Sequence, residues 1–211
     1  MNSFPNVDQG SALIVTSLEV ARQAGPSDQV VFVWGGATNS DVTPVARRDR
    51  GDSPAIRAAS RALFKATGVT LDDVDFIDLY SCFPSAVEAG AAAIELALGD
   101  ARGLTQTGGM PFFGGPGNNY TSHAIASLVG RLRRSGRLAY VAANGGLLSK
   151  HSLGIYGSAP PTRGFVRVDT SRQQAEISAA ALPVAADASG SATVVGCTVV
   201  YGRDGGVASA P

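Results

Sequence analysis

Hydrophobic and polar positions alternate with two different periods along this chain, and the switches between them mark out its elements. Residues 11–16 (S-A-L-I-V-T) form a short apolar run of strand type. Helical spacing follows over residues 18–24 and stops at Gly25-Pro26, a helix terminator. Residues 29–34 (Q-V-V-F-V-W) are β-branched and aromatic and predict a strand, followed by a polar loop over residues 35–52. Ser53-Pro54 opens a helix, with Ser as cap and Pro in the first turn. Ile56, Ala59, Leu63 and Ala66 share one face of it, and Gly68 ends it. Leu71 to Val74 reads as a turn and residues 76–79 as a buried strand. Tyr80 to Pro84 then bends the chain into a helix running to about Leu98.

The second half continues the alternation. Residues 120–135 predict a helix with Ile125, Leu128, Val129 and Leu132 on one face. Arg131, Arg133 and Arg134 lie on a solvated face, near the C-terminus, where cations suit the helix dipole. Residues 138–143 read as a strand and 153–156 as its neighbour. Strands alternating with helices imply a layered α/β domain. The composition changes after Pro160-Pro161. Residues 173–188 are alanine-rich and weakly patterned, and 192–201 (A-T-V-V-G-C-T-V-V-Y) carry the strongest strand signal in the chain. Residues 202–206 are a hairpin-type turn whose returning strand would begin at Val207, four residues before the last. A hairpin with one complete arm is not a stable unit. The expected organisation is an α/β domain over 1–160, then a linker and the truncated start of an additional β-rich domain over 161–211.

Composition narrows the function classes. The 211 residues are 45% hydrophobic, enough for a real core, and only 16% charged with a formal net charge of zero. A nucleic-acid binder would show a basic face, and a disordered chain fewer apolar residues. No apolar run reaches the roughly eighteen residues of a membrane span, and residues 1–10 lack a signal-peptide pattern. Cys82 and Cys197 are far apart and no C-x-x-C occurs, so no metal site or redox pair is signalled. The expectation is a cytoplasmic protein with two reduced thiols.

Candidate chemistry gathers at two glycine-rich stretches, residues 107–123 (T-G-G-M-P-F-F-G-G-P-G-N-N-Y-T-S-H) and 143–151 (A-N-G-G-L-L-S-K-H). Such loops beside sheet ends are where α/β proteins build sites, although glycines also serve plain turns. Cys82 stands just ahead of a helix, whose free N–H groups and dipole are expected to lower a thiol pKa. The competing reading is a small buried hydrophobe. Cys197, mid-strand, is given no chemical role. His123 and His151, the two histidines, each fall in a glycine-rich stretch, and a histidine near a cysteine suits thiol acid/base chemistry. Asn118, Asn119 and Asn144 can donate to a carbonyl oxygen or oxyanion, or simply form turns. There are no paired carboxylates, no P-loop and no dinucleotide fingerprint.

In this order, the pieces resemble the C-terminal half of a thiolase. Residues 8–17 (D-Q-G-S-A-L-I-V-T-S) are similar to the segment that begins that half. Residues 78–88 (D-L-Y-S-C-F-P-S-A-V-E) are similar to the N-E-A-F loop, and closer to the H-D-C-F loop of the sterol-carrier-protein type. Residues 107–123 stand at the G-G-H-P loop and 143–146 at the C-x-G loop. The resemblance spans roughly residues 7–158. It implies a thiolase-type half, a mixed β-sheet covered by helices, plus a short β-rich tail. It also implies an acyl-CoA acyltransferase, like an acetyl-CoA acetyltransferase of lipid metabolism, with the coenzyme A thioester as substrate and no separate cofactor. Cys82 would be the acid/base thiol and His123 or His151 would polarise the thioester carbonyl. Tyr80, Asn118, Asn119 and Asn144 would face substrate. The thiolase nucleophile belongs to the N-terminal half, so the implied partners are acyl-CoA, that half and, through an exposed apolar face, further copies of the chain. The chain alone is expected to be inactive.

The departures from the pattern keep alternatives open. Tyr80 stands at the His or Asn of the H-D-C-F comparison, Gly115 at the catalytic histidine and Asn144 at the acid/base cysteine. Gly115 and Asn144 favour a non-catalytic thiolase-like module that binds acyl-CoA or a partner. A thiolase-like aldolase, with Tyr80 handling a proton, is the third reading. A rival alignment sets residues 145–154 (G-G-L-L-S-K-H-S-L-G) at the histidine loop and makes His151 the catalytic histidine. The helix and strand that thiolases place after this loop follow His123 and not His151, which favours the first alignment.

Overall fold

The computed structural model describes residues 3–25 and 29–210. Strands β1 (Phe32–Ser40), β2 (Phe76–Leu79), β3 (Leu138–Gly145), β4 (Lys150–Gly157) and β5 (Val166–Arg167) form one mixed sheet in the order β2-β3-β4-β1-β5. β4 is antiparallel to both β3 and β1, whereas β2 runs parallel to β3 and β5 parallel to β1. β1, β2 and β3 therefore all finish at the same sheet edge.

Side chains alternate between the faces of a strand, so the register assigns the core. Ala37, Leu153, Ile155, Tyr140, Ala142, Ile77 and Leu79 meet Ala59 and Leu63 of helix α2 (Pro54–Thr67) and Ala91 of α3 (Pro84–Ala93). Ala139 and Val141 face the other way, onto Leu128 and Leu132 of α5 (Tyr120–Arg134). The result is three layers, α2/α3, sheet and α5. The α2 helix forms as its sequence predicts. Ser53 Oγ accepts from Ile56 N, Pro54 sits in the first turn, and Gly68 closes the helix at φ 73°.

Several sequence expectations are corrected. Residues 11–16 are not a strand: they join no ladder, and Ile14 is 94% exposed. The short helix α1 (Leu18–Ala24) behind them forms as predicted but buries nothing; Pro26 of its predicted stop lies outside the described residues. The predicted loop over 35–52 is strand as far as Ser40. Gly35-Gly36 read as loop residues, yet a Cβ at Gly35 would lie 2.9 Å from the Val166 carbonyl and 3.2 Å from Leu63 Cδ1. Here glycine marks close approach of a neighbouring strand and helix. The helix predicted to reach Leu98 ends at Ala93, and Glu95 at φ 59° turns the chain so that Ile94 and Leu96 enter the core.

Past Pro161 the chain returns to the same sheet. Val168 N donates to the Gly36 carbonyl, and the Gln174 amide brackets the Ser40 backbone, accepting from its N–H and donating to its C=O. Gln174 belongs to α6 (Ser171–Ala179), which packs on α2 and β1. The strong strand signal over 192–201 yields only β6 (Val200–Tyr201), paired with β7 (Val207–Ser209) around the predicted turn, and every residue of this hairpin's strands is exposed. β-propensity needs a sheet edge or an apolar cover to become a ladder. Among the described residues, no helix is long and apolar enough to cross a membrane.

Candidate functional site

The sheet edge at which β1, β2 and β3 end also receives the N-termini of α2 and α3 and the start of β4. In α/β sheets the carboxyl ends of strands are where ligands bind. A polar row crosses this edge. Asn39 on β1 is register partner of His151 on β4, which in turn is partner of Asn144 on β3. The row continues the face that carries Ala37, Leu153 and Ala142 in the core.

Cys82 lies at the β2 side of this row. It is half-buried, two residues ahead of Pro84, and its Sγ accepts from Asn144 Nδ2 at 3.7 Å. Burial pushes the Cys82 thiol up, outweighing the N–H groups of Phe83 and Cys82 and the Asn144 amide, which pull it down. The expectation of a lowered thiol pKa is thereby reversed. The helix terminus is present, but desolvation of the thiolate is the larger effect.

On the other side of Asn144, His151 is 4% exposed. Its Nε2 lies 3.1 Å from Asp41 Oδ2, which also accepts from Ser53 Oγ at 2.5 Å. Asp41 Oδ1 accepts from Ala55 N at 3.0 Å. Burial raises the Asp41 carboxyl, but these bonds from His151, Ser53 and Ala55 together hold it below the usual carboxylate range. An anion at the first turn of α2 also complements the helix dipole. Beyond His151, along β4, β1 and β5, a cavity of about 690 Å³ is lined by Asn39, Lys150, Arg167, Thr170 and Gln174 among others.

A second cluster forms where the first glycine-rich stretch meets β2. Ser81 Oγ accepts from Met110 N, at the start of the short helix α4 (Met110–Phe113), and bonds the Tyr120 hydroxyl, which also meets Thr107 Oγ1 at 2.7 Å. The Tyr80 ring packs edge-on against Tyr120, with centroids 5.5 Å apart. Burial, and then the neighbouring Cys82, raise the Tyr80 phenol. His123 packs edge-on against Phe113, and its Nε2 lies 3.3 Å from Asn119 Nδ2. Asn119 Oδ1 in turn accepts from Ser11 Oγ. Asn118 is exposed. The fold thus brings Cys82, Asn144 and His151 into one row with Tyr80 beside it. His123 and Asn119 form a separate pair that shares no hydrogen bond with Cys82 among the described residues.

Gly115 is a point of close approach. Its N–H donates to the Phe4 carbonyl at 2.7 Å, and a Cβ there would collide with Ser3 Oγ. Gly114 beside it has φ 104° and Val7 against it. The N-terminal segment occupies the space that a side chain at position 115 would fill.

Sequence reasoning missed Asn39, Asp41 and Arg47, all inside the supposed loop, and read Ser53 only as a cap. The alternation of Asn39 and Asp41 beyond a strand was the available signal. Arg47 is buried and donates to the carbonyls of Val42, Leu147 and Leu148. It pins the β3–β4 turn, where Leu148 holds φ 52°.

Asp78 of β2 is buried and has its carboxyl pushed up to about 6 by burial, against one bond from Gln106 N. A carboxyl raised in the folded state binds more protons than in the unfolded chain. Stability from this group is therefore full below about pH 4 and falls as pH rises through about 6, by on the order of 3 kcal/mol in total. Asp78→Asn, which keeps an acceptor for Gln106, is expected to raise stability at pH 8 and not at pH 4. Urea unfolding at both values checks it, and an equal effect at both pH values would refute the assignment.

No family model matches the chain. Among solved structures, a monomeric SCP2-thiolase like protein type 1 from Mycobacterium smegmatis superposes with a TM-score of 0.71 at 43% sequence identity. The match covers 76% of this chain but 36% of that one, so the chain spans about a third of the length of the protein it resembles. The three-layer arrangement, the order of the loops and this level of identity together support a place in the thiolase-like superfamily, and the fold of this chain is thiolase-like.

Proposed function

We propose that this chain supplies the C-terminal part of a thiolase-superfamily acyltransferase acting on a coenzyme A thioester, with Cys82 moving the proton. The observation that carries this reading is the Cys82 sulfur, half-buried at the strand-end edge, held by the Asn144 amide, with its thiol pushed up by burial. A thiol that stays protonated near neutral pH suits a proton donor better than a nucleophile. His123, only partly buried beside Asn119, is the histidine open to a thioester carbonyl, whereas His151 is engaged with Asp41. The nucleophile would come from the remainder of a thiolase-like protein. The exposed run of Leu13, Ile14 and Val15 is a surface on which that remainder, or a second copy of the chain, would pack. A water-soluble acyl-CoA substrate fits a cytoplasmic setting.

The test is acetoacetyl-CoA thiolysis. The chain alone is expected to show none above background. Combined with a thiolase segment bearing the nucleophilic cysteine, it is expected to transfer acyl groups, and Cys82→Ala should then cost roughly a hundredfold or more, typical of losing an acid/base group. If the combined protein binds acyl-CoA without cleaving or condensing it, and Cys82→Ala changes nothing, the chain is a binding module instead.

A further inference from the structure

Among the described residues, the buried side-chain polar atoms with no hydrogen-bond partner are Gln9 Oε1, Asn39 Nδ2, Asn144 Oδ1 and His151 Nδ1. The last three belong to the one row of register partners across β1, β4 and β3. Asn39 and His151 are only 5% and 4% exposed. Buried polar groups are nearly always satisfied, so each of the three needs a partner, and their shared register row lets one molecule serve all of them. Their chemistry defines it.

Asp41 is held ionised, so Ser53 Oγ and His151 Nε2 both donate to it, and Ser53 in turn accepts from Ile56 N. In its neutral form His151 is then the Nε2–H tautomer, whose Nδ1 is a bare acceptor. Asn39 Oδ1 already accepts from Ser40 N, which leaves its Nδ2 as a donor. Asn144 Nδ2 points to Cys82, which leaves its Oδ1 as an acceptor. One donor and two acceptors are the complement of a single water molecule.

We propose that Asp41, His151 and Asn144 form a hydrogen-bonded line, closed by one buried water, that aims the Asn144 amide N–H at the Cys82 sulfur. The water accepts from Asn39 and donates to His151 and Asn144. Asp41 and His151 are positioning residues: they act on Cys82 only through Asn144. The ionisable groups along the line are Asp41 and His151 within it, Cys82 at its end and Tyr80 beside Cys82. Arg47 is occupied by the carbonyls of the adjacent turns. The inference rests on Cys82 being the working thiol, but its test reads the thiol itself. Acyl transfer and positioning can therefore fail separately.

The experiment is the rate of Cys82 alkylation by iodoacetamide at pH 8 in a Cys197→Ser background, since Cys197 is the other, exposed thiol. An amide N–H on sulfur stabilises the thiolate, and tenfold in thiolate fraction is one pH unit. Asn144→Ala is expected to slow alkylation by roughly threefold to tenfold. His151→Gln and Asp41→Asn are expected to do so by at least about half as much, with the His151→Gln/Asn144→Ala pair no slower than Asn144→Ala alone. Parent-like rates in folded His151→Gln, or full additivity in the pair, would overturn the line. The unmutated chain gives a second reading that no folding defect can obscure. Nitrogen NMR should show His151 as the Nε2–H tautomer, with an Nδ1 resonance that moves when Cys82 is alkylated. An Nδ1–H tautomer, or a resonance that does not move, rejects the proposal.

Discussion

Asp41→Ala is expected to destabilise the chain by about 3–5 kcal/mol, because it leaves three donors at a buried site without their charged acceptor. Three donors depend on this carboxylate: His151 Nε2, Ser53 Oγ and Ala55 N. The His151 and Asp41 side chains are 0% and 1% exposed, so water cannot replace the lost acceptor without the helix start moving. Two of the three donors belong to the first turn of α2, whose cap loosens as well. The loss should also change with pH. Because the folded Asp41 carboxyl lies below its ordinary value, its contribution is present above about pH 4 and disappears as pH falls through the lowered pKa. Urea unfolding of parent and variant at pH 7 and near pH 3 measures both effects. A loss under about 1 kcal/mol at pH 7, or one that persists undiminished in acid, would show that the cluster is not buried and paired as described.

Leu63→Ala is expected to cost a further large amount, about 2–5 kcal/mol, by a different mechanism. Leu63 is fully buried, and its Cδ1 lies over Gly35, in contact with the strand that the glycine allows to come close. Alanine is the better helix former, so the backbone gains slightly and the whole loss is packing. The cavity left behind cannot be closed by Gly35, which has no side chain to offer. Lys65→Ala, on the exposed side of the same helix, is the control and should change stability by less than about 0.5 kcal/mol. Denaturant midpoints with unchanged slopes would measure the difference cleanly. A Leu63→Ala effect as small as the control's would mean that α2 does not seal this face of the sheet.

Local signals served where an element is stabilised by its own residues. The α2 helix carries its cap, its proline and its terminating glycine in sequence, and β2 and α5 match their patterns almost to the residue. Thiolase-like architecture was legible for the same reason. Loop order and spacing survive in the chain whatever its tertiary contacts, and the structural match supports the fold they imply. Elements whose state depends on a partner were misread. Residues 11–16 and 192–201 are β-branched, but no edge of this sheet receives them. Gly35-Gly36, which looks like a loop, is strand because α2 and β5 close over it.

The candidate site divides along the same line. Cys82 was visible as a thiol ahead of a helix, and Asn144 and His151 as residue types within one glycine-rich stretch far from it in sequence. Their union depends on register: β3 and β4 pair Asn144 with His151, and β2 delivers Cys82 beside them. His123, equally prominent in sequence, is drawn by α5 to Asn119 and Phe113. Asp41 was overlooked because its alternation with Asn39 hints at strand without naming a partner; only the extension of β1 and the arrival of α2 make it the partner of His151. Even the sense of the Cys82 pKa came from tertiary structure. A helix N-terminus is a local feature and lowers a thiol, whereas burial is a sum over the whole fold and here raises it. The sequence by itself determined which groups are available and which segments form helices and strands, since those follow from short-range sterics and periodicity. Which groups meet, and how dry their meeting place is, was decided by long-range packing alone.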